Sequence, residues 1–160
     1  MVETTWIREM KLIAHRGNIN GPQPELENSP FYLITAIEKG YDVETDVWYD
    51  NDKWYLGHDE GGYQIDREFL EHPNLWCHAK NLNALQSMVE YGIHCFWHQT
   101  DDFTLTSKGY IWTFPGKPTC EKTVIVSKEL EALERTMDLN IYAVCSDDVG
   151  AAKKCTGIYQ

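Results

Sequence analysis

The chain has 160 residues, 42% of them hydrophobic and 24% charged, and its 25 acids against 14 bases leave a formal net charge of −11. That length and balance suit one folded domain over 1–160 and exclude a disordered chain, while the acidic excess excludes a broad polyanion-binding surface, so nucleic acid is not an expected partner. No apolar run approaches a membrane span and residues 1–8 lack the apolar core of a signal peptide, which points to a cytoplasmic protein.

Residues 12–15 read as a short apolar strand, followed by a loop of glycine, asparagine and proline over 17–24. A helix over 30–39 comes next, with Ser29 as N-cap, Pro30 at the first helical position and Gly40 at its end. In the stretch 41–59, Asp42, Glu44 and Asp46 alternate with Val43, Thr45 and Val47, so on a period-2 strand the acids share one face. They could line a solvated edge. If helices clothe the apolar face, however, the acids turn inward, and inward-facing carboxylates call for a positive group, most economically a divalent cation. The chain returns through Trp54, Tyr55 and Leu56 to His58 and Asp59, a hairpin with Asp50, Asn51 and Asp52 at its tip. A three-residue loop sets His58 opposite Glu44. A two- or four-residue loop turns it to the other face unless the pairing breaks first.

Beyond the hairpin, the pattern predicts a short helical segment over 67–71, a strand over 75–80 and a helix over 83–91 ended by Gly92. Strands follow over 93–98, 110–114 and 123–126, then a helix over 129–139 and a seventh strand over 141–145. Strands alternating with helices argue for an α/β protein with a parallel sheet, closed as a small TIM-like (β/α) barrel with fewer than eight complete units. An open doubly wound sheet is the alternative fold, but neither GxGxxG nor GxxxxGK[ST] occurs. The five cysteines form no CxxC pair, and Cys77, Cys95 and Cys145 lie in apolar strands, where reduced cysteine packs as a small hydrophobe.

His15 and Arg16 close the first strand, Glu44 and Asp46 the second, and His78 and Lys80 the third. In a parallel barrel these positions share one rim, the rim that carries active sites. Histidines that move protons, paired carboxylates for a hard cation, and Arg16 with Lys80 for an anion fit phosphodiester hydrolysis. His72 and His94 read as ordinary, and His98, beside Asp101 and Asp102, is a candidate for the mouth of the site. Trp112 suits either core or substrate wall.

LIAHRGN at 12–18, ELENS at 25–29, VETDV at 43–47 and LGHDE at 56–60 together resemble the glycerophosphodiester phosphodiesterase family of the phospholipase C-like phosphodiesterase superfamily of TIM barrels. The resemblance weakens over CHAKN at 77–81 and is loose beyond, where Trp112 with Thr113 and Ser146 with Asp147 are similar to the family's late strands. It implies a lipid-metabolism hydrolase in which His15 accepts a proton, His58 donates one, Arg16 contacts phosphate, and Glu44 and Asp46 bind one divalent ion. Glu27 and Asn28 would support the site, with Glu27 on the substrate side together with Lys80 and Trp112. The family's third metal ligand is a glutamate where this chain has His78. The expected ion is magnesium, calcium or manganese, with zinc admitted by the imidazole, unless Asp101 substitutes for His78.

The family's insertion after the His-Asp pair is also missing, a trait shared with the phospholipase D toxins of the superfamily. The expected function is metal-dependent hydrolysis of a glycerophosphodiester or similar alkyl phosphodiester by two histidines. The alternatives are a phospholipase D-like or other small-diester phosphodiesterase and a non-catalytic phospho-ligand-binding barrel. The sequence leaves oligomeric state open.

Overall fold

The computed structural model describes residues 9–127, 135–136 and 139–155. Among them, ten strands follow in chain order: β1 (Lys11–His15), β2 (Asp42–Asp50), β3 (Lys53–Leu56), β4 (Tyr63–Ile65), β5 (Leu75–Ala79), β6 (Cys95–Phe96), β7 (Phe103–Leu105), β8 (Ile111–Thr113), β9 (Thr123–Val126) and β10 (Ala143–Ser146). Three helices lie wholly within the described residues, α1 (Pro30–Glu38), α2 (Leu82–Glu90) and α3 (Val149–Cys155), with a 3-10 turn at Arg67–Glu71, and residues 135–136 are helical as well.

Seven strands run parallel in the order β6-β5-β2-β1-β10-β9-β8, each beside its neighbour in the winding of a barrel. These are the seven strands expected from sequence, although the expected strand over 93–98 is reduced to Cys95–Phe96. The ladder ends at β6 on one side and at the β7–β8 hairpin on the other, so the sheet curls into an incomplete barrel. Ser107 spans this seam: its backbone N–H donates to the Cys95 carbonyl at 2.8 Å and its hydroxyl accepts from the Cys95 N–H at 2.9 Å. Among the described residues the architecture is α/β and TIM-like with fewer than eight βα units. The expected helix over 129–139 lies largely outside the described residues.

Alternation along the strands sorts two cores. Val43, Val47, Cys77 and Ala79 point outward against Leu33 and Ala36 of α1 and Ala84 and Met88 of α2. Ser29 caps α1 by accepting from the Tyr32 N–H at 3.3 Å, a contact worth about 1 kcal/mol. Facing inward, Ile13, Trp76, Phe96, Trp112, Val124 and Cys145 fill the barrel. Its lower end is closed by aromatic rings, with Trp76 4.3 Å from His94 and 5.1 Å from Tyr110 between centroids. Cys77, Cys95 and Cys145 are buried and free, as their apolar surroundings lead one to expect.

Asp42 shares the inward face with Glu44 and Asp46 but sits near the start of its strand. There it accepts from the Trp76 indole at 2.9 Å and the Asn74 amide at 2.7 Å and pairs with Lys11 at 3.3 Å, so its burial is structural. The β2–β3 hairpin turns on two residues, Asn51 and Asp52, both with positive φ. Val47 consequently pairs with Leu56, and the ladder breaks just beyond, at Gly57. Gly57 has φ +154°, and a Cβ there would lie 2.0 Å from the Glu60 carbonyl oxygen, so only glycine makes this exit. No described helix is long and apolar enough to cross a membrane.

Candidate active site

A cavity of about 780 Å³ opens at the C-terminal ends of the parallel strands. His15, Arg16, Glu44, His58, His78 and Lys80 line one side, bringing most of the sequence-predicted site residues together. Phe96, Trp112, Phe114, Pro115 and Val126 line much of the rest. Trp112 belongs to the core and also borders the cavity: it is only 4% exposed, it stacks on Phe96 at 4.5 Å, and it is among the lining residues.

His15 ends β1, and Arg16 turns the chain with φ 54°, a left-handed conformation uncommon for arginine. Two contacts support it: the Arg16 N–H donates to the Glu44 carbonyl at 2.9 Å and lies 3.3 Å from Glu44 Oε2. Gly17 completes the turn at φ +89°, where a Cβ would sit 2.8 Å from the Tyr32 ring. The Arg16 guanidinium donates to Glu27 Oε2 at 3.2 Å, and its Nε lies 3.2 Å from Asp46 Oδ2 as an ion pair without hydrogen-bond alignment. Glu27 also accepts from Asn18 Nδ2 at 2.9 Å, so it acts on the site through Arg16 and Asn18 and does not line the cavity.

Glu44 and Asp46 are each 1% exposed. Burial and the neighbouring Asp46 charge push the Glu44 carboxyl up. For Asp46, burial raises the pKa, but hydrogen bonds from His78 and Asn28 and the charges of His78 and Arg16 outweigh it and hold the group at about 2. Asn28 donates to Asp46 Oδ2 at 3.0 Å and accepts from the Asp46 N–H at 3.0 Å and the Thr45 hydroxyl at 2.8 Å. These bonds fix the direction in which the Asp46 carboxylate points. Lys80 Nζ approaches Asp46 Oδ1 to 3.9 Å.

Each histidine has one nitrogen committed. His15 Nδ1 donates to Asp147 Oδ1 at 2.7 Å, leaving Nε2 3.6 Å from Glu44 Oε2. Burial lowers the His15 pKa, but Glu44 and Asp147 outweigh it, and the net direction is up. His58 Nδ1 lies 2.7 Å from Asp59 Oδ1 on the open side of the cavity. His78 Nε2 donates to the His98 carbonyl at 3.0 Å and turns Nδ1 toward Asp46 Oδ1 at 3.2 Å and Glu44 Oε1 at 3.8 Å. Glu44, Asp46 and His78 thus offer three ligand atoms within 4.8 Å of one another, a donor set that fits a divalent cation. Asp101 instead sits 3.7 Å from His98 Nδ1 and is not part of this cluster.

Asp147 entered the sequence reading only through the late-strand resemblance of Ser146 with Asp147, and its contact with His15 was missed, although it directly follows the last strand and acids at strand ends on this rim are its natural signal. Asn18 was also missed. It is fully buried, donates to both Glu27 and Asp147 at 2.9 Å, and accepts from the Tyr32 hydroxyl at 3.0 Å.

No family model and no curated protein matches the chain. Among solved structures, it is similar to a glycerophosphodiester phosphodiesterase from Agrobacterium tumefaciens str. C58, with a TM-score of 0.63 and 13% sequence identity over 94% of this chain and 100% of that one. At that identity the likeness shows a shared fold.

Proposed function

We propose that the chain is a phosphoric diester hydrolase acting on a glycerophosphodiester or similar small alkyl phosphodiester. The observation that carries this reading is the meeting, in one cavity, of His15, His58, the buried Glu44, Arg16 and Lys80, with Asp46 buried beside them 3.9 Å from Lys80 Nζ. Glu44, Asp46 and His78 would hold a divalent cation, which when bound neutralises charge on the phosphoryl oxygens. Arg16 and Lys80 add positive charge on the same side and orient the phosphate.

His15 takes the proton of the nucleophile, water or a substrate hydroxyl, at Nε2. Asp147 supports this role by accepting from Nδ1–H, which fixes the tautomer and stabilises the imidazolium that forms. As the phosphorus–oxygen bond to the departing alcohol breaks, His58 supplies the proton that alcohol needs, and its contact with Asp59 orients the ring. The products are a phosphomonoester, or a cyclic ester if a substrate hydroxyl attacks, and a free alcohol.

The apolar wall of Phe96, Trp112, Phe114, Pro115 and Val126 supports a second reading within the same chemistry: a phospholipase D-like substrate whose alcohol arm or tail is apolar. Both readings are tested by following product release from a panel of diesters with magnesium, calcium, manganese or zinc supplied in turn. Turnover of any member supports hydrolysis. Binding of diester and metal with no turnover across the panel would instead leave a phospho-ligand-binding barrel.

A further inference from the structure

We infer that the Glu44, Asp46 and His78 site is selective for a transition-metal ion of the manganese or zinc class over calcium or magnesium, and that the end of β6 sets this selectivity by locking His78. The inference rests on the reading that these three residues hold a cation. It concerns which cation, and why.

A backbone carbonyl can only accept, so His78 Nε2, 3.0 Å from the His98 oxygen, carries the ring proton. In the neutral ring, the lone pair is therefore on Nδ1, aimed at Asp46 Oδ1 at 3.2 Å and Glu44 Oε1 at 3.8 Å. The ring is stacked on Phe96 at 5.1 Å with an interplanar angle of 8°, which opposes its rotation. While the ring is neutral, two carboxylate oxygens and this lone pair converge in a buried pocket and repel one another; only in the charged ring does Nδ1–H donate to Asp46. A proton on Nδ1 would relieve part of this, whereas one cation can satisfy all three donors.

Calcium and magnesium take oxygen ligands, whereas neutral imidazole suits manganese less strongly and zinc well. A carbonyl hydrogen-bonded to the far ring nitrogen is also the support that metal-bound histidines use. The residues flanking β6 thus take part in metal choice without touching the ion.

The test is calorimetric titration of the full chain with manganese, zinc and calcium, for wild type, His78→Glu and Asp46→Asn. Zinc outranks calcium on most donor sets, so the readout is the change in the affinity ratio between proteins. Replacing the nitrogen by a carboxylate should lower the manganese-to-calcium and zinc-to-calcium ratios by about tenfold or more, and Asp46→Asn should weaken all three ions. Should His78→Glu fold poorly, zinc added to wild type should shift the His78 Nδ1 nitrogen resonance, the signature of ligation through that atom. Equal ratios in wild type and His78→Glu, an unmoved His78 Nδ1 resonance on adding zinc, or no cation binding would each overturn the inference. If the selectivity holds but no diester turns over, the hydrolase reading fails and this inference stands; turnover with unaltered ratios has the opposite meaning.

Discussion

His15 Nδ1 donates to Asp147 Oδ1 across 2.7 Å, and Asn18 Nδ2 donates to the same oxygen at 2.9 Å. The pair links the ends of β1 and β10, strands far apart in sequence but adjacent in the barrel, where Ala14 pairs with Ser146. A carboxylate held this firmly leaves His15 one tautomer, with Nε2 available on the Glu44 side at 3.6 Å.

Asp147→Asn should therefore slow turnover by about 10²-fold or more, because the imidazolium that forms on His15 loses its counter-charge. Burial lowers the His15 pKa while Glu44 and Asp147 raise it, so removing the Asp147 charge shifts it down. The ascending limb of the rate against pH, which follows His15 losing its proton, should move to lower pH. A lower rate with an unmoved limb would mean that Asp147 only holds the loop.

Much of this site could be read from the chain because it lies on regular elements. His15, Glu44, Asp46 and His78 are set by strand alternation, and Ser29 with Pro30 marks the start of α1. Asp147 was less legible, being one acid among 25, and its partner is fixed only when β10 closes against β1. The position of His58 was illegible for another reason. A loop of two residues would turn it away from Glu44, and what returns it to the cavity is the break in pairing at Gly57. The three-residue strands β4 and β7 carry too little alternation to be seen.

Phe114 is 56% exposed at the cavity wall, so its removal should not threaten the core. If an apolar arm lies on this wall, Phe114→Ala should raise KM for an alkyl-chain diester by about tenfold, the worth of one buried aromatic contact, and leave a glycerol diester unaffected. Equal effects on both substrates would remove the apolar-arm reading.

Stability should respond to pH through the barrel's lower end. Burial holds the His94 pKa down at about 4, against an ordinary 6.5, with Lys108 adding to the effect. Between these values the unfolded chain binds the proton that the folded chain refuses, so stability falls as pH drops from about 6.5 to about 4. Partial exposure limits this contribution to about 1–2 kcal/mol. Asp46, held at about 2, loses its contribution only below about pH 4. In denaturant titrations the difference between wild type and His94→Gln should shrink as pH falls through the upper window, and a constant difference would show that His94 titrates normally.

Division of labour between His15 and His58 is tested most directly by the loss of turnover in His15→Ala and His58→Ala on an alkyl diester and on an aryl diester such as a nitrophenyl ester. Nitrophenolate leaves without needing a proton, so His58→Ala should lose about 10²- to 10⁴-fold on the alkyl diester and far less on the aryl one, whereas His15→Ala should lose heavily on both. Similar losses on the two substrates for His58→Ala, or full activity in His15→Ala, would contradict two-histidine catalysis at this site.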